Sequence, residues 1–252
     1  MIKIKFIAKE KYILEFFNKP CPAKQNYPEW LKKMSNFFCN KKVDDFGDPL
    51  ETVKKCMPFY DAMTCGYHIP LPCDVWVDRQ NNDFKIQWSV DQYNLISKHY
   101  DGQMDANMID EGYEKILFKW NNPWIIKTPR NWSSLFIQPI HQDTVPFKSF
   151  TGLVDTDTFP GAVSIPFVVR KNFEGIIPKG TPFIQVIPIK REKHISKFSY
   201  DDGSLIKIWD KARTIFFDRY KKTFRQPKFY LDESEEVKQS KCPFSFLHKP
   251  KA

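Results

Sequence analysis

The chain has 252 residues, of which 42% are hydrophobic and 16% aromatic, and it carries a formal net charge of +9. Its length allows a sizeable core in one large domain or two small ones, while its apolar runs fall short of the roughly 20 residues that span a bilayer. The positive charge favours acidic partners, but the Lys residues are scattered without an Arg cluster. Nucleic-acid binding is therefore an unspecific alternative to a solvated Lys-rich surface.

Residues 1–60 are expected to form an extension that packs on a larger core. Ile2, Ile4 and Phe6 alternate with Lys residues, which predicts a half-buried strand at a sheet edge and no signal peptide, so we expect a cytoplasmic protein. A short amphipathic helix is predicted after Pro28. Its apolar face either packs on the core or binds a partner and comprises Trp30, Leu31, Met34, Phe37 and Phe38.

Residues 61–192 are predicted to form a β core. Runs of β-branched, aromatic or alternating residues predict strands near 75–77, 84–90, 113–120, 135–137, 162–169 and 183–189. Their number and spacing favour a mainly β fold, an antiparallel jelly roll or distorted barrel with a few flanking helices. Pro70 and Pro72 lack amide donors, so the segment around them is predicted at an edge or a bulge and not in a central strand.

Residues 193–252 are predicted to form a charged connector, an amphipathic helix and a polar tail from Glu233 onward, within one domain overall. Ser204 is the predicted N-cap, and the helix should end before Pro227. It would cover one face of the sheet or bury a subunit contact, and a homo-oligomer is the expected state. Its apolar face comprises Leu205, Ile208, Trp209, Ala212, Ile215, Phe216 and Tyr220.

The six cysteines form no C-x-x-C pair and match no zinc spacing. Reduced thiols are the expected state. A zinc site assembled from distant Cys and His residues is the alternative.

Three segments resemble, in order, motifs of the trimeric dUTP pyrophosphatases and the related dCTP deaminases. Gly66-Tyr67-His68-Ile69 resembles the first motif, Gly152-Leu153-Val154-Asp155-Thr156-Asp157-Thr158-Phe159-Pro160-Gly161 the third, and Gly180-Thr181-Pro182-Phe183-Ile184-Gln185 the fourth. The resemblance implies a jelly-roll-like fold over roughly 62–189. It also implies a nucleotide, or another acidic small molecule, as the ligand.

The same resemblance implies roles for individual residues. Asp155 would activate the attacking water beside Asp157, Phe159 would stack on a deoxyribose, and a divalent cation such as Mg²⁺ would bind the phosphates. Further ligand contacts would come from Tyr67, His68, Ser134 and Gln185. The alternative is that Asp155 and Asp157 are turn formers that bond their own backbone amides.

The chain also departs from the motifs of that family. His68 replaces the first-motif Asp, and Thr158 is an extra residue before the aromatic ring. The Pro-Arg-Ser second motif and the Gly-rich C-terminal motif have no counterpart, which removes the expected phosphate ligands. The resemblance therefore favours the fold more than the activity.

The whole chain is similar to an uncharacterised family of tailed-phage and bacterial proteins. The shared blocks are Pro70-Leu71-Pro72-Cys73-Asp74, Val154-Asp155-Thr156-Asp157, and Ile177-Pro178-Lys179-Gly180-Thr181-Pro182 followed by Lys190-Arg191-Glu192. This resemblance implies a phage-type protein in the host cytoplasm or the virion, without implying an activity.

Two further functions compete with nucleotide chemistry. His141 and Asp143 form an H-x-D pair, as at the start of the facial triad of an Fe²⁺ oxygenase, with His194 as the downstream candidate for the third ligand. Alternatively, the protein is a non-catalytic virion component or interaction module, which the aromatic surplus and the predicted C-terminal helix favour.

Overall fold

A computed structural model of the chain describes residues 2–38, 43, 47, 49–80, 83–215 and 220–232. Over those residues it contains fourteen strands in four antiparallel sheets, and none of the sheets closes into a barrel. The prediction of a mainly β, antiparallel fold with a few helices is confirmed. Likeness to the dUTP pyrophosphatases stays a prediction.

The strands are short, as the turn-punctuated sequence predicted. They are β1 (Lys5–Ala8), β2 (Cys21–Pro22), β3 (Tyr67–Pro70), β4 (Val75–Gln80), β5 (Asp83–Trp88), β6 (Ile96–Lys98), β7 (Phe118–Asn121), β8 (Trp124–Lys127), β9 (Trp132–Ile137), β10 (Phe147–Ser149), β11 (Gly152–Val154), β12 (Ser164–Val169), β13 (Gly175–Ile177) and β14 (Pro182–Lys190). The helices are α1 (Lys11–Phe16), α2 (Glu29–Lys33), α3 (Met57–Thr64) and α4 (Ser204–Ile215).

Each sheet has a simple strand order. β1 pairs with β8, and the order of the three-stranded sheet is β13-β4-β5. The four-stranded sheet has the order β10-β12-β7-β6, and the five-stranded sheet has the order β11-β9-β14-β3-β2. β14, the longest strand, lies at the centre of the five-stranded sheet.

The chain divides into two compact units. The first comprises residues 1–28, 64–191 and the described residues from Tyr230, and the second comprises Glu29–Met63 and Glu192–Phe229. All four sheets belong to the first unit. The second contains α2, most of α3, and α4.

The core of the first unit is aromatic. The rings of Trp120 and Phe167 stack with centroids 3.8 Å apart, and Phe147 and Phe183 contact Trp120 from two further strands. All four side chains are buried. Such rings remove large apolar areas from water, which explains how a chain of short strands obtains a continuous core.

Two segments of the first unit can be compared with the sequence prediction. The predicted N-terminal strand is β1, which pairs with β8, and α1 follows it with Ile13 buried in the core. β3 lies between β14 and β2, but its pairs with β2 are at Tyr67 and His68, whereas Pro70 pairs with Pro182 of β14. The predicted bulge is present as a register shift between Pro182 and Ile184 opposite Pro70.

Contacts within the second unit centre on an acidic side chain and two ring pairs. Asp61 of α3 is buried and accepts from Arg225 Nη2 at 2.7 Å and Lys228 Nζ at 2.9 Å. Trp30 contacts Phe59 edge to face, and Trp209 stacks on Phe224. None of the described helices has both the length and the apolar character of a membrane span.

Helix α4 begins at Ser204. If Ser204 were the N-cap, the helix would begin one residue later, at Leu205. Lys207 N donates to Gly203 O, so Ser204 already lies inside the helix. The carboxylates of Asp201 and Asp202 accept from the amides of Leu205 and Ser204. Acidic capping of this kind replaces the predicted Ser204 cap. The predicted extension through Phe216 and the tail from Glu233 lie outside the described residues.

Candidate functional site

The acidic segment forms a tight turn directly after β11. The carbonyl oxygen of Asp155 accepts from the amides of Thr158 at 3.1 Å and Phe159 at 2.8 Å. The turn therefore projects the side chains of Asp155 and Asp157 beyond the end of an edge strand. Backbone hydrogen bonds therefore close this turn.

Both carboxylates contact Arg191, which follows the last residue of β14. Arg191 Nη1 donates to Asp155 Oδ1 and to Asp157 Oδ1, each at 2.9 Å, and Nη2 bonds Asp157 Oδ2. We call these three residues the carboxylate clamp. The N–H groups of the guanidinium form a rigid fork that matches the geometry of a carboxylate, which makes this ion pair directional.

The start of β9 supplies two further hydrogen bonds to the clamp. Ser133 Oγ donates to Asp155 Oδ1 at 2.7 Å, and the amide of Asn131 donates to Asp157 Oδ2 at 2.9 Å. Asn131 adopts a φ of 68°, in the left-handed region where Asn is among the more tolerant residues. The clamp thus joins the ends of β9, β11 and β14.

The two carboxylates differ in exposure and in electrostatics. The Asp155 side chain is 62% exposed and that of Asp157 is 5% exposed. The hydrogen bond from Arg191, aided by the Asn131 amide, lowers the pKa of Asp157 to about 2. Asp157 is therefore ionised at neutral pH and its charge is neutralised within the clamp.

A row of hydroxyl groups lies beneath the clamp. Thr156 Oγ1 lies 2.8 Å from both Thr128 Oγ1 and Ser134 Oγ, and Thr128 Oγ1 donates to the Trp132 carbonyl. Ser134 is fully buried. The hydroxyl of Ser134, which was predicted to contact a ligand, is thus bonded to Thr156 and enclosed by the protein.

Phe159 is the predicted stacking ring, and it is 41% exposed at the end of the acidic turn. Its ring lies against Gly161, because a Cβ added there would come within 3.0 Å of the ring. Its carbonyl accepts from Lys127 Nζ at 2.8 Å. One side of the ring is thus occupied by its own turn.

His68 and Gln185 lie opposite each other on β3 and β14. Gln185 is buried, accepts from the Ile140 amide at 3.0 Å and donates to the Cys65 carbonyl at 2.7 Å. His68 is 1% exposed, and neither ring nitrogen meets a partner at hydrogen-bond geometry among the described residues. Burial lowers its pKa to about 4, although Gln185 and the Asn26 backbone oppose that shift.

Tyr67 occupies the strand position before His68 and is half-buried. Its hydroxyl donates to the Leu231 carbonyl at 3.4 Å, and its ring packs edge to face with Phe6 and Tyr230. These contacts place Tyr67 in packing between β3 and the described C-terminal residues. The structure therefore brings Asp155 and Asp157 together, but His68, Gln185 and Tyr67 contact other groups.

His141 and Asp143 lie in the loop after β9. His141 adopts a φ of 58° and is half-buried, while the exposed Asp143 accepts from Arg170 through its backbone oxygen. The described part of the chain contains no group of three or more His, Cys, Asp or Glu side chains arranged to hold a metal ion. His194 is exposed in the second unit. Among the described residues, therefore, no third His, Cys, Asp or Glu side chain joins His141 and Asp143 in a metal-binding group.

Disulfides do not join the described cysteines, which are Cys21, Cys56, Cys65 and Cys73, to one another. Burial raises the pKa of Cys21 to about 11, assisted by the charge of Asp232. This thiol is protonated at neutral pH and is a poor nucleophile. Cys39 and Cys242 lie outside the described residues.

A shallow surface hollow of about 490 Å³ lies on the three-stranded sheet. Its lining consists of Trp76, Ile86, Gln87, Trp88 and Asp91. None of the residues that the sequence singled out as functional lines it.

Sequence reasoning gave no special role to the segment that follows the clamp. Residues 193–200, here called the arm, are extended and make no backbone hydrogen bond to another described residue. Ile195, Phe198 and Tyr200 in the arm are 94%, 92% and 92% exposed. The signal was present in the sequence as three large apolar or aromatic residues within a charged connector.

Helix α4 also carries exposed apolar side chains. Leu205, Ile206, Ile208 and Trp209 are exposed, whereas Ala212 is buried. The predicted amphipathic helix thus exists, and most of its described apolar side chains face solvent. Exposed apolar side chains at this density are uncommon on monomeric proteins.

Comparison with known proteins assigns no family to this chain, so we describe the molecule by its fold and its surface. No protein-family model matches the chain, and no curated protein matches it. The molecule is thus defined as a β-rich protein with a clamped acidic turn and an exposed apolar arm and helix.

Proposed function

We propose that the protein is a non-catalytic interaction module that assembles with further copies of itself through the arm and α4. The observation that carries this proposal is the exposure of three large side chains, Ile195, Phe198 and Tyr200, in an extended segment. Burying one such side chain stabilises an interface by about 1.5–3 kcal/mol. A partner that covers these residues therefore stabilises the complex, because in the isolated chain they are exposed to water.

The size of the surface also supports the proposal. One side of a stable protein interface uses about 20–30 residues. The arm, the capping turn and α4 together supply a segment of that length. The basic and acidic residues between the apolar ones provide the polar rim that such interfaces have.

The proposal is tested by the molar mass of the full-length protein, measured by light scattering after size exclusion. We expect an oligomer for the natural sequence and a monomer when Ile195, Phe198 and Tyr200 are all replaced by Ser. The matched control replaces the exposed Lys171 and Lys179 of the first unit by Ser and should stay oligomeric. A monomeric natural protein would contradict the proposal.

Nucleotide hydrolysis is the second candidate, and one contact favours it. Arg191, whose side chain is 36% exposed, brings a guanidinium next to Asp155, where the sequence lacked the Pro-Arg-Ser motif. Guanidinium groups bind phosphate in two-pronged geometry. Against this, the guanidinium is already shared by two carboxylates.

Thermal unfolding with a panel of deoxynucleoside triphosphates and Mg²⁺ tests this second candidate. A nucleotide ligand at 100 times its Kd would stabilise the fold by about 2.7 kcal/mol and raise Tm measurably. The Asp155→Asn variant is the control for binding at the clamp. An unchanged Tm with every nucleotide would eliminate nucleotide binding.

A further inference from the structure

The outer face of the five-stranded sheet carries an apolar strip. Leu153 of β11 lies opposite Leu135 of β9, which in turn lies opposite Ile187 of β14. Residues directly opposite each other in an antiparallel sheet share a face, and so do residues two apart in one strand. Ile189 therefore extends the same row, and we call these four residues the strip.

The strip is accessible to a partner. Leu153 is 62% exposed and Ile189 is 40% exposed, while Leu135 and Ile187 are half-buried. The opposite face of the same strands carries buried residues such as Phe136 and Val186. This sheet therefore has one face in the core and part of the other face uncovered.

We propose that the strip is the docking site for the arm of a second copy of this chain. The inference rests on the proposed self-assembly and names the surface that receives the arm. In a closed dimer of this kind each copy would give one arm and receive one, so every arm and every strip is covered.

The shape of the arm fits a sheet face. An extended chain advances about 3.3 Å per residue and sends alternate side chains to one side, so Phe198 and Tyr200 point the same way. Strands lie about 4.8 Å apart, and the strip crosses three of them. Two aromatic rings with this spacing can cover a row of Leu and Ile side chains.

Backbone groups and charge support the same occupant. β11 is an outermost strand in its sheet over the described residues, so an arm that covers Leu153 also meets a strand edge able to pair with an extended chain. Asp155, 62% exposed, directly follows β11, whereas the arm contains Lys193 and Lys197. Opposite charges thus flank the apolar contact and favour one direction of docking.

Complementation between two variants tests this docking. Phe198→Asp damages the arm and leaves the strip intact, and Leu153→Asp damages the strip and leaves the arm intact. Each alone changes both contacts of the closed dimer and should raise the dissociation constant of self-association by about 100- to 10,000-fold. In an equimolar mixture, one contact of each mixed dimer joins a natural arm to a natural strip, and the other joins the two damaged surfaces. Substitutions that contact each other are not additive, and a contact already lost from one side loses little more from the other, so mixed dimers should form at concentrations where each variant alone is monomeric.

The measurement is sedimentation velocity with one variant carrying a fluorescent label. Ile176→Asp is the matched control, because Ile176 is 53% exposed on a different sheet, and it should associate like the natural protein. Circular dichroism checks that each variant stays folded. Two results would overturn the docking site: Leu153→Asp associating as strongly as the natural protein, or the mixture associating no more strongly than its components. In either case, self-association of the natural protein would still uphold the proposed function. A monomeric natural protein would overturn both.

Discussion

Asp157 and His68 are two enclosed ionisable side chains that this fold treats in opposite ways. Arg191 and an amide hydrogen bond favour the charged form of Asp157, so its pKa falls to about 2. Burial disfavours the imidazolium of His68, and no described charged group offsets it, so the pKa of His68 falls to about 4. At neutral pH the aspartate is therefore ionised and the histidine neutral.

The neutral state of His68 predicts an acid-sensitive fold. Its folded-state pKa of about 4 lies below the ordinary 6.5, so the unfolded chain binds the proton more readily. The contribution of His68 is complete above pH 6.5 and is lost as the pH falls toward 4, by on the order of 3 kcal/mol. Urea unfolding at pH 7.5, 6 and 5 should show a smaller decline for His68→Gln than for the natural protein.

The exposed His194 provides the control for that experiment. His194→Gln should unfold like the natural protein at each pH, because substitutions of exposed residues have little effect on the free energy of unfolding. Identical pH dependence of His68→Gln and the natural protein would show that the buried ring is not the group that titrates.

At the scale of elements, the clamp is a junction between three strand ends. Arg191 extends from the end of β14, Asp155 and Asp157 from the turn after β11, and Ser133 and Asn131 from the start of β9. The same residue that closes the clamp also leads into the arm. The clamp therefore holds the end of β14 against the ends of β9 and β11.

Arg191→Ala should lower the melting temperature by several degrees at pH 7. Two carboxylates would face each other without their guanidinium, and Asp157 is almost fully enclosed. In the natural protein the contribution of Asp157 is complete above its ordinary pKa of 3.8 and lost as the pH falls through about 2. The variant should lack this acid transition in thermal unfolding.

Arg130→Ala is the matched control, since Arg130 is an exposed arginine in the neighbouring turn. It should melt like the natural protein. Equal melting temperatures for Arg191→Ala and Arg130→Ala would contradict the structural role of the clamp.

The elements could be predicted from the sequence where local pattern decides them. β-branched and aromatic runs correctly indicated β12 and β14, and three- and four-residue spacing indicated α4. The pairing of β3 with β2 was not predicted, because a strand of two residues leaves no local pattern. Arg191 was missed because a salt bridge between residues 34 and 36 positions apart leaves no local pattern.

At the scale of the whole molecule, the chain combines a buried aromatic core with an apolar surface that stays in water. The core rings were predictable from composition, because 23 Phe and 7 Trp exceed what a surface accommodates. The exposure of the arm could not be predicted, since a charged connector with three apolar residues is equally compatible with packing on its own sheet. The three-dimensional arrangement decides between those alternatives.

Net charge influences the proposed assembly. Two copies that each carry +9 repel one another at low ionic strength. Salt screens that repulsion, with a Debye length of about 10 Å at 0.1 M, while the apolar contact persists. Self-association should therefore strengthen from low to moderate salt.

Sedimentation equilibrium of the full-length protein over a range of concentrations, at moderate salt, tests the central claim most directly. The account predicts a weight-average mass that rises with concentration above the 29.9 kDa of one chain, and a constant 29.9 kDa for the triple Ser variant of Ile195, Phe198 and Tyr200. A natural protein that stays at 29.9 kDa at every concentration, with its arm intact, would contradict the account.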